Sequence, residues 1–318
     1  MEAAEPGRLS SAEAAAQRLR IDYAAAEVLR AFDVAGIRSI VLKGAPLVRW
    51  LYEPGEGRSY ADCDLLVPPH QFDAASRVLT GLGFEAELDE REMPDWWREH
   101  GLEWRRASDR TAVDLHRTLA GARVDPDRVW HVLSQRTHPI DLAGYPARSL
   151  DTAGLALQLA LHAAQHGGLT RQVDELELAL QQAPLETWRE AAALARELDA
   201  GAAFAEGLGF APSGRALAET LDLPADASVE AHLRARGFAE PLTIEQFAQA
   251  GAAGRASMIR HKVFPPATYM RKWSTLAARG RAGLLLAYLW RPVWLLGRLP
   301  RAFRQWRGAR RAAAGSGR

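Results

Sequence analysis

The sequence predicts an α+β protein in which a mixed β-sheet flanked by helices precedes a helical domain and a basic helical tail. Short β-branched runs alternate with amphipathic stretches in the first half, as in a sheet covered by helices. From about Asp151 onward, alanine and leucine recur at helical spacing and β-branched residues are few. We therefore expect an N-terminal helix over 1–36, a sheet domain over 37–150, a helical domain over 151–254 and a tail over 255–318.

The composition is that of a globular protein and not of a disordered chain. Of the 318 residues, 48% are hydrophobic and 25% are charged, and this length suits about two domains. A single cysteine, Cys63, excludes an internal disulfide and fits a reducing compartment. The N-terminus lacks the basic and then apolar layout of a signal peptide. We expect a cytoplasmic protein.

The first elements follow from local signals. Ser10 and Glu13 form a capping-box pattern, which predicts a long helix that ends before Gly36. The run Ser-Ile-Val-Leu at 39–42 predicts a short strand. Gly44 then permits a tight turn from this strand into a helix.

Two aspartates lead into the next strand. Asp62 and Asp64 are followed by an apolar run that ends at Val67, and strand alternation directs both carboxylates to one side of the sheet. Cys63, between them, is expected to point into the core. Hard cations such as Mg²⁺ prefer carboxylate oxygens and share them with substrate phosphates, so the pair predicts a metal site for phosphoryl chemistry.

A predicted hairpin supplies a third carboxylate. After an amphipathic helix over 70–82 and a strand over 84–88, the runs 102–106 and 111–116 pair around a polar turn. The second of these strands carries Asp114 between two apolar residues. Two acids would hold the nucleotide's metal ion while a third ligates the metal or acts as a base toward the attacking hydroxyl.

Three histidines accompany these acids. His116 shares a strand face with Asp114, so it either orients a carboxylate, contacts substrate or is structural. His162 and His166 stand four residues apart on a predicted helix. A zinc helix of the H-E-x-x-H type needs a glutamate where Ala163 stands. We interpret these two histidines as structural or as accessory groups directed toward the cleft.

The motifs resemble a known family. A strand ending in glycine, a helix, an Asp-x-Asp strand and a later strand with one more Asp resemble the nucleotidyltransferase fold of the DNA polymerase β superfamily. The chain is most similar to a bacterial family of uncharacterised nucleotidyltransferase-like proteins, over roughly 20–180. The segments that carry the resemblance are 40–45, Arg58, 62–67 and 113–116.

The resemblance implies a metal ion, Mg²⁺ or Mn²⁺, held by Asp62, Asp64 and Asp114, and a nucleotide site that includes Lys43, Gly44 and Arg58. Related proteins have glycine-serine or glycine-glycine where this chain has Gly44-Ala45. The missing hydroxyl removes one phosphate contact, which Lys43 or Arg58 can replace with positive charge. A solvated lysine at position 43 and an arginine at position 58 in an ordinary salt bridge are the alternatives.

The C-terminal tail is basic. Residues 255–318 contain 15 Lys and Arg and no Asp or Glu, which leaves 25 Lys and Arg against 39 Asp and Glu in 1–254. Tryptophans interleave with the basic residues over 271–311. This composition suits an anionic membrane surface, nucleic acid or the chain's own acidic body. The apolar stretch of the tail is interrupted at Arg291-Pro292, so we expect no transmembrane segment.

Together these observations predict a metal-dependent nucleotidyltransferase. It would move a nucleoside monophosphate from a nucleoside triphosphate to an acceptor hydroxyl or phosphate on a small molecule, peptide or glycan precursor. The alternative is a catalytically weak nucleotide-binding or membrane-associated scaffold protein in a biosynthetic complex. We expect a cytoplasmic location with peripheral contact with the inner membrane surface through 271–311, and nucleic acid is the less favoured partner.

Overall fold

The computed structural model describes most of the chain, as two compact units. The described residues are 11–53, 59–87, 100–168, 170–224, 229, 233 and 239–315. The first unit comprises the described residues of Met1–Glu87, His100–Gln158 and Leu178–Leu194, and the second comprises those of Leu159–Glu177 and Ala195–Arg318. The domain bounds expected from the sequence stay a prediction.

Seven strands of the described residues form one mixed sheet in the first unit. The strands are β1 Ile40–Val41, β2 Cys63–Leu66, β3 Glu85–Ala86, β4 Gly101–Arg106, β5 Thr111–His116, β6 Thr137–Leu142 and β7 Tyr145–Leu150. Their order across the sheet is β3-β4-β5-β2-β1-β7-β6. β2 and β5 are parallel neighbours, and β4 and β5 form the predicted antiparallel hairpin.

The other major elements of the described chain are α-helices. They are α1 Ser11–Val34, α2 Ala45–Leu51, α3 Phe72–Gly81, α4 Pro126–Ser134, α5 Thr152–Gln165, α6 Thr170–Gln182, α7 Leu185–Glu197, α8 Gly201–Gly209, α9 Gly214–Thr220, α10 Ala239–Gln249, α11 Ala252–Val263, α12 Ala267–Trp273 and α13 Arg281–Gly315. The predicted fold class, a mixed sheet flanked by helices and followed by a helical region, is confirmed.

Strand alternation gives the sheet one face in the hydrophobic core and a second face that carries the acids. Cys63, Leu65, Val113 and Leu115 belong to the hydrophobic core that α1 and α3 complete. The residues between them, which include Asp64 and Asp114, therefore lie on the opposite face. The N-terminal helix is thus part of the core of the sheet, since its buried residues recur at helical spacing along one side.

The second hairpin, β6–β7, is absent from the expectations drawn from the sequence. Its turn is Ala143-Gly144, and both residues have positive φ, 49° and 81°. This backbone is typical of a two-residue hairpin turn that usually has Asn-Gly. Proline also occurs in both strands, at Pro139 and Pro146, and proline weakens a strand pattern because it cannot donate to the ladder.

In the second unit, α13 is one continuous helix through both Pro292 and Pro300. The apolar stretch of the sequence is interrupted at Arg291-Pro292, but the helix backbone continues through this point. Each proline removes one hydrogen bond of the helix without ending it. Among the helices that the structure describes, none has both the length and the apolar character that crossing a membrane requires.

Candidate active site

The polar face of the sheet brings two predicted acids and one predicted histidine together. In the parallel register of β2 and β5, Asp64 lies directly opposite Asp114, and His116 follows two residues later on the same face. One ligand atom from each of these three side chains lies within 4.8 Å of the other two. The alternation of residues along each strand therefore produces a compact acidic site from positions 50 residues apart in the chain.

Asp64 is the central side chain, and it is fully buried. Its Oδ1 atom lies 3.0 Å from Lys43 Nζ and 3.0 Å from His116 Nε2. Burial would raise the pKa of Asp64, but the Lys43 ammonium and His116 outweigh it and hold that pKa below its usual range. The Oδ2 atom is buried and has no hydrogen-bond partner. A buried carboxylate with one satisfied oxygen and one unsatisfied oxygen is suited to bind a further ligand.

Lys43 reaches Asp64 because of the turn after β1. The Leu42 amide donates to the Asp64 carbonyl at 3.0 Å, which sets Lys43 beside the acid. Gly44 follows with φ 82°, a left-handed conformation that favours glycine. Burial lowers the pKa of Lys43, but Asp64 and the neighbouring acids outweigh this effect and raise it. The lysine is therefore charged and held at the acid site, which excludes the alternative of a solvated side chain.

Asp62 and Asp114 complete the predicted acids. Asp62 lies one residue before β2 and is partly buried, outside the group of three ligand atoms. Burial, together with the charge of Asp64, raises the pKa of Asp114 to about 7, with a smaller contribution from Asp62. At neutral pH Asp64 in the metal-free site is therefore ionised, whereas Asp114 is only partly ionised.

Sequence reasoning missed an acidic neighbour, Glu103. It stands opposite Asp114 in the β4–β5 register, so three adjacent strands present carboxylates in one row. Burial raises the pKa of Glu103, and the charges of Glu87 and Asp62 reinforce this effect against the opposing charge of Arg105. The register of the predicted hairpin was a signal that could have identified this residue.

Gly101 supports His116 from the adjacent strand. The two residues are paired in the β4–β5 register, and a Cβ atom on residue 101 would lie 2.8 Å from His116 Nδ1 and 3.0 Å from the Leu115 carbonyl oxygen. The 2.8 Å separation is shorter than a real Cβ contact. The imidazole ring of His116 therefore fits only because residue 101 has no side chain. No sequence signal marked this glycine.

The other predicted positions lie elsewhere. Arg58 falls outside the described residues, so its nucleotide contact stays a prediction. His162, on α5, and His166, in the turn just after it, lie in the second unit with ring centroids 4.4 Å apart. Cys63 lies in the core as expected, and burial raises the pKa of its thiol, which disfavours the thiolate.

The raised pKa of Asp114 gives a stability prediction. Replacing Asp114 with Asn is expected to stabilise the metal-free protein at pH 8, because the folded state then no longer holds a poorly solvated charge. Between the unfolded pKa, near 4, and the folded pKa of about 7, the folded carboxyl keeps its proton longer, so wild-type stability falls as pH rises. The advantage of Asp114→Asn should therefore be small at pH 4 and reach roughly 2 kcal/mol above pH 7, with allowance for solvent screening.

Urea unfolding in EDTA at several pH values measures this difference. Asp73→Asn, an exposed position on α3, is the matched control for the change of an acid to an amide. A gain that is equal at all pH values would contradict the assignment of the raised pKa to Asp114.

The donor set fits a divalent cation. The unsatisfied Oδ2 atom of Asp64 and the facing carboxylate of Asp114 are hard oxygen ligands, and Asp62 is close enough to influence the pKa of Asp114. The bonds to Lys43 and His116 fix the other oxygen of Asp64, so the free oxygen is held in one orientation.

A comparison with protein families assigns the chain to one of them. A family model described as uncharacterised nucleotidyltransferase matches residues 6–213. No curated protein sequence matches the chain significantly.

Two solved structures show weaker likeness. The antibiotic-resistance factor ANT(2'')-Ia has 14% identity and a TM-score of 0.40, covering 56% of this chain and 95% of that one. An antigenic nucleotidyltransferase-like protein from Paracoccidioides brasiliensis has 14% identity and a TM-score of 0.34, covering 58% and 92%. Similarity at these TM-scores is too low to support an inference about this chain.

Proposed function

The chain belongs to the uncharacterised nucleotidyltransferase family, and on this premise we propose that it is a metal-dependent enzyme that transfers a nucleoside monophosphate from a nucleoside triphosphate to an acceptor hydroxyl or phosphate. The acceptor would be a small molecule, a peptide or a glycan precursor. The observation that carries the proposal is the buried, unsatisfied Oδ2 atom of Asp64 beside Asp114.

We propose that Asp64 and Asp114, with Asp62 at the edge of the site, hold Mg²⁺ or Mn²⁺. The bound cation would neutralise charge on the triphosphate oxygens and favour ionisation of the attacking hydroxyl. Asp114, with a pKa of about 7 in the metal-free protein, would lose its proton on metal binding or accept the proton of the acceptor. Asp64 would stay ionised throughout, because Lys43 and His116 stabilise its charge.

Lys43 and His116 act on the site through Asp64. Both contact Oδ1, and we propose them as positioning residues that direct Oδ2 toward the cation. Lys43, with Gly44 and Arg58, would also supply the positive charge and the turn beside the triphosphate. His162 and His166 remain proposed accessory groups.

We also propose a cytoplasmic location with peripheral contact with the inner membrane surface through 271–311. The single cysteine is buried and unpaired with another cysteine, as is usual for a reducing compartment. The basic charge of the C-terminal region favours an anionic surface.

Thermal unfolding with a panel of nucleoside triphosphates tests the proposed nucleotide site without knowledge of the acceptor. At a concentration of about 100 times Kd, a bound nucleotide should add close to 3 kcal/mol to the free energy of unfolding. The gain should appear with Mg²⁺ or Mn²⁺, and should be lost in EDTA and in Asp114→Asn. Asp73→Asn should respond as the wild type does.

The reaction product then identifies the chemistry. With an acceptor, nucleotidyl transfer releases pyrophosphate, whereas transfer of the terminal phosphoryl group releases a nucleoside diphosphate. Metal-dependent stabilisation with no pyrophosphate release from any acceptor class would instead favour the catalytically weak nucleotide-binding scaffold. Absence of stabilisation by every nucleotide tested would contradict the proposed site.

A further inference from the structure

The long C-terminal helix α13 exposes its large apolar residues and buries its small ones. The side chains of the exposed residues are between 46% and 66% accessible, and these residues are Leu285, Leu286, Leu289, Trp290, Val293, Leu296, Leu299 and Phe303. We call this set the apolar stripe. In contrast, Ala287, Ala302 and Ala309 are at most 4% exposed. A helix that packs only within a globular unit shows the opposite distribution.

The apolar stripe runs along one side of the helix. Positions 285, 289, 293, 296 and 303 follow one another at intervals that keep them in register with the helical turn, with Pro300 between the last two. The stripe extends over 19 residues from Leu285 to Phe303, or about 27 Å at the rise of an α-helix. Patches of this size on a protein surface usually mark an interaction site.

Polar bonds fix the opposite side of α13 to the second unit. Tyr288 donates to the Pro265 carbonyl at 2.6 Å, and Arg291 donates to the Lys262 carbonyl at 2.7 Å. Further along, Arg298 pairs with Glu240 at 2.8 Å and Trp306 donates to Glu245 at 2.5 Å. These contacts fix the orientation of the helix about its axis, and they therefore also fix the direction in which the apolar stripe faces.

Basic residues continue the same side of the helix. Arg307 and Arg311 follow Phe303 at intervals of four residues and are exposed, as are Arg304 and Arg310. We call these four residues the basic end. No acidic residue occurs anywhere in 255–318, so no side chain of this stretch itself neutralises the arginines.

This pattern favours a lipid surface over the other occupants. A second copy of the same helix has no acidic side chain to pair with the basic end. Nucleic acid is bound through basic and aromatic groups that contact phosphates and stack on bases, and aliphatic leucine and valine do neither. An anionic bilayer suits both the apolar stripe and the basic end, since the apolar side chains can enter the acyl boundary and the arginines can bind the headgroups.

We propose that α13 lies in the interface of an anionic phospholipid membrane, with the apolar stripe in the headgroup and acyl boundary and the basic end on the headgroups. The proposal rests on the proposed peripheral location and specifies the residues that make the contact. Three of the four tryptophans of the tail are not part of this contact. Trp273 and Trp294 pack on each other with centroids 5.3 Å apart, and Trp306 bonds to Glu245.

Vesicle sedimentation of the full chain, without nucleotide or metal, tests the proposal. Wild type should bind vesicles of phosphatidylcholine and phosphatidylglycerol, and binding should weaken as salt rises and be at least tenfold weaker on phosphatidylcholine alone. The double variant Leu289→Ser/Leu296→Ser should bind about tenfold more weakly or worse. The triple variant Arg304→Gln/Arg307→Gln/Arg311→Gln should lose about 100-fold.

Matched variants outside the helix control for solubility and net charge. Leu19→Ser/Val34→Ser replaces apolar side chains that are 55% and 87% exposed on α1, and it should bind as wild type does. The same holds for Arg20→Gln/Arg77→Gln/Arg123→Gln, all at exposed positions. All variants are at exposed sites and should keep the wild-type Tm.

Several results would overturn the proposal. They are equal binding to neutral and anionic vesicles, no binding to either, and equal loss in the α13 and control variants. Self-association without vesicle binding would assign the face to a second copy, and binding of nucleic acid without vesicle binding would assign it to that polymer. Because no nucleotide is present, each result is independent of the thermal test of the active site.

Discussion

Replacing Asp64 with Ala is expected to weaken metal binding strongly and to destabilise the fold by about 3–5 kcal/mol, because the change removes the partner of a buried charge. Lys43 is only 14% exposed and lies 3.0 Å from the lost carboxylate. Without Asp64, the poorly solvated ammonium would lose the carboxylate that raises its pKa most. Mn²⁺ affinity, measured from the free Mn²⁺ signal in electron paramagnetic resonance, should fall about 100-fold or more.

Asp64→Asn should separate the two effects. The amide oxygen of Asn still accepts hydrogen bonds from Lys43 and His116, so the loss of stability should be smaller, about 1–2 kcal/mol, whereas metal affinity should fall as far as in Asp64→Ala. The stability result therefore tests the ion pair and the metal result tests the ligand.

A double-mutant cycle with Lys43→Met tests the origin of the stability loss. Asp64→Ala/Lys43→Met removes both charges and should be clearly more stable than Asp64→Ala alone. If the double variant loses the sum of the two single losses, Lys43 and Asp64 do not stabilise one another, which would contradict the proposed ion pair. Unchanged Mn²⁺ affinity in both Asp64 variants would remove Asp64 from the metal site.

The fold was predictable where local signals agree. The hairpin of β4 and β5 has alternating apolar residues and a polar turn, and it forms as expected. The hairpin of β6 and β7 has a turn without asparagine and a proline in each strand, so its signal was too weak. α13 continues through Pro292, and the neighbouring Arg291 donates to the Lys262 carbonyl, a contact that no local sequence pattern indicates.

The site was predictable in part for the same reason. Period-2 alternation suffices to place Asp114 and His116 on one face of one strand, and a nucleotidyltransferase was the expected class, which family membership confirms. The ion pair of Lys43 with Asp64 requires knowledge that β1 and β2 are neighbours, and pairing between distant strands is not encoded locally. The roles of the individual residues stay proposals until the variants are measured.

Gly101→Ala is expected to weaken the site from a position that carries no functional group. The new Cβ would lie 2.8 Å from His116 Nδ1, and the ring is buried, so His116 must move or the two strands must separate. We expect a loss of about 1–3 kcal/mol in stability. Mn²⁺ affinity should fall about tenfold, since Asp64 loses one of the two groups that orient it.

The location of the clash makes this prediction specific. In Gly101→Ala/His116→Ala the obstructing ring is gone, so the double variant should be no less stable than His116→Ala alone, and the two changes should be strongly non-additive. Gly81→Ala is the matched control, because a Cβ there meets nothing within 4 Å. If Gly101→Ala and Gly81→Ala have the same stability and the same Mn²⁺ affinity, then His116 has room to shift without consequence and does not position Asp64. If His116→Ala loses as much metal affinity as Gly101→Ala, then Gly101 affects Asp64 through the position of the His116 ring.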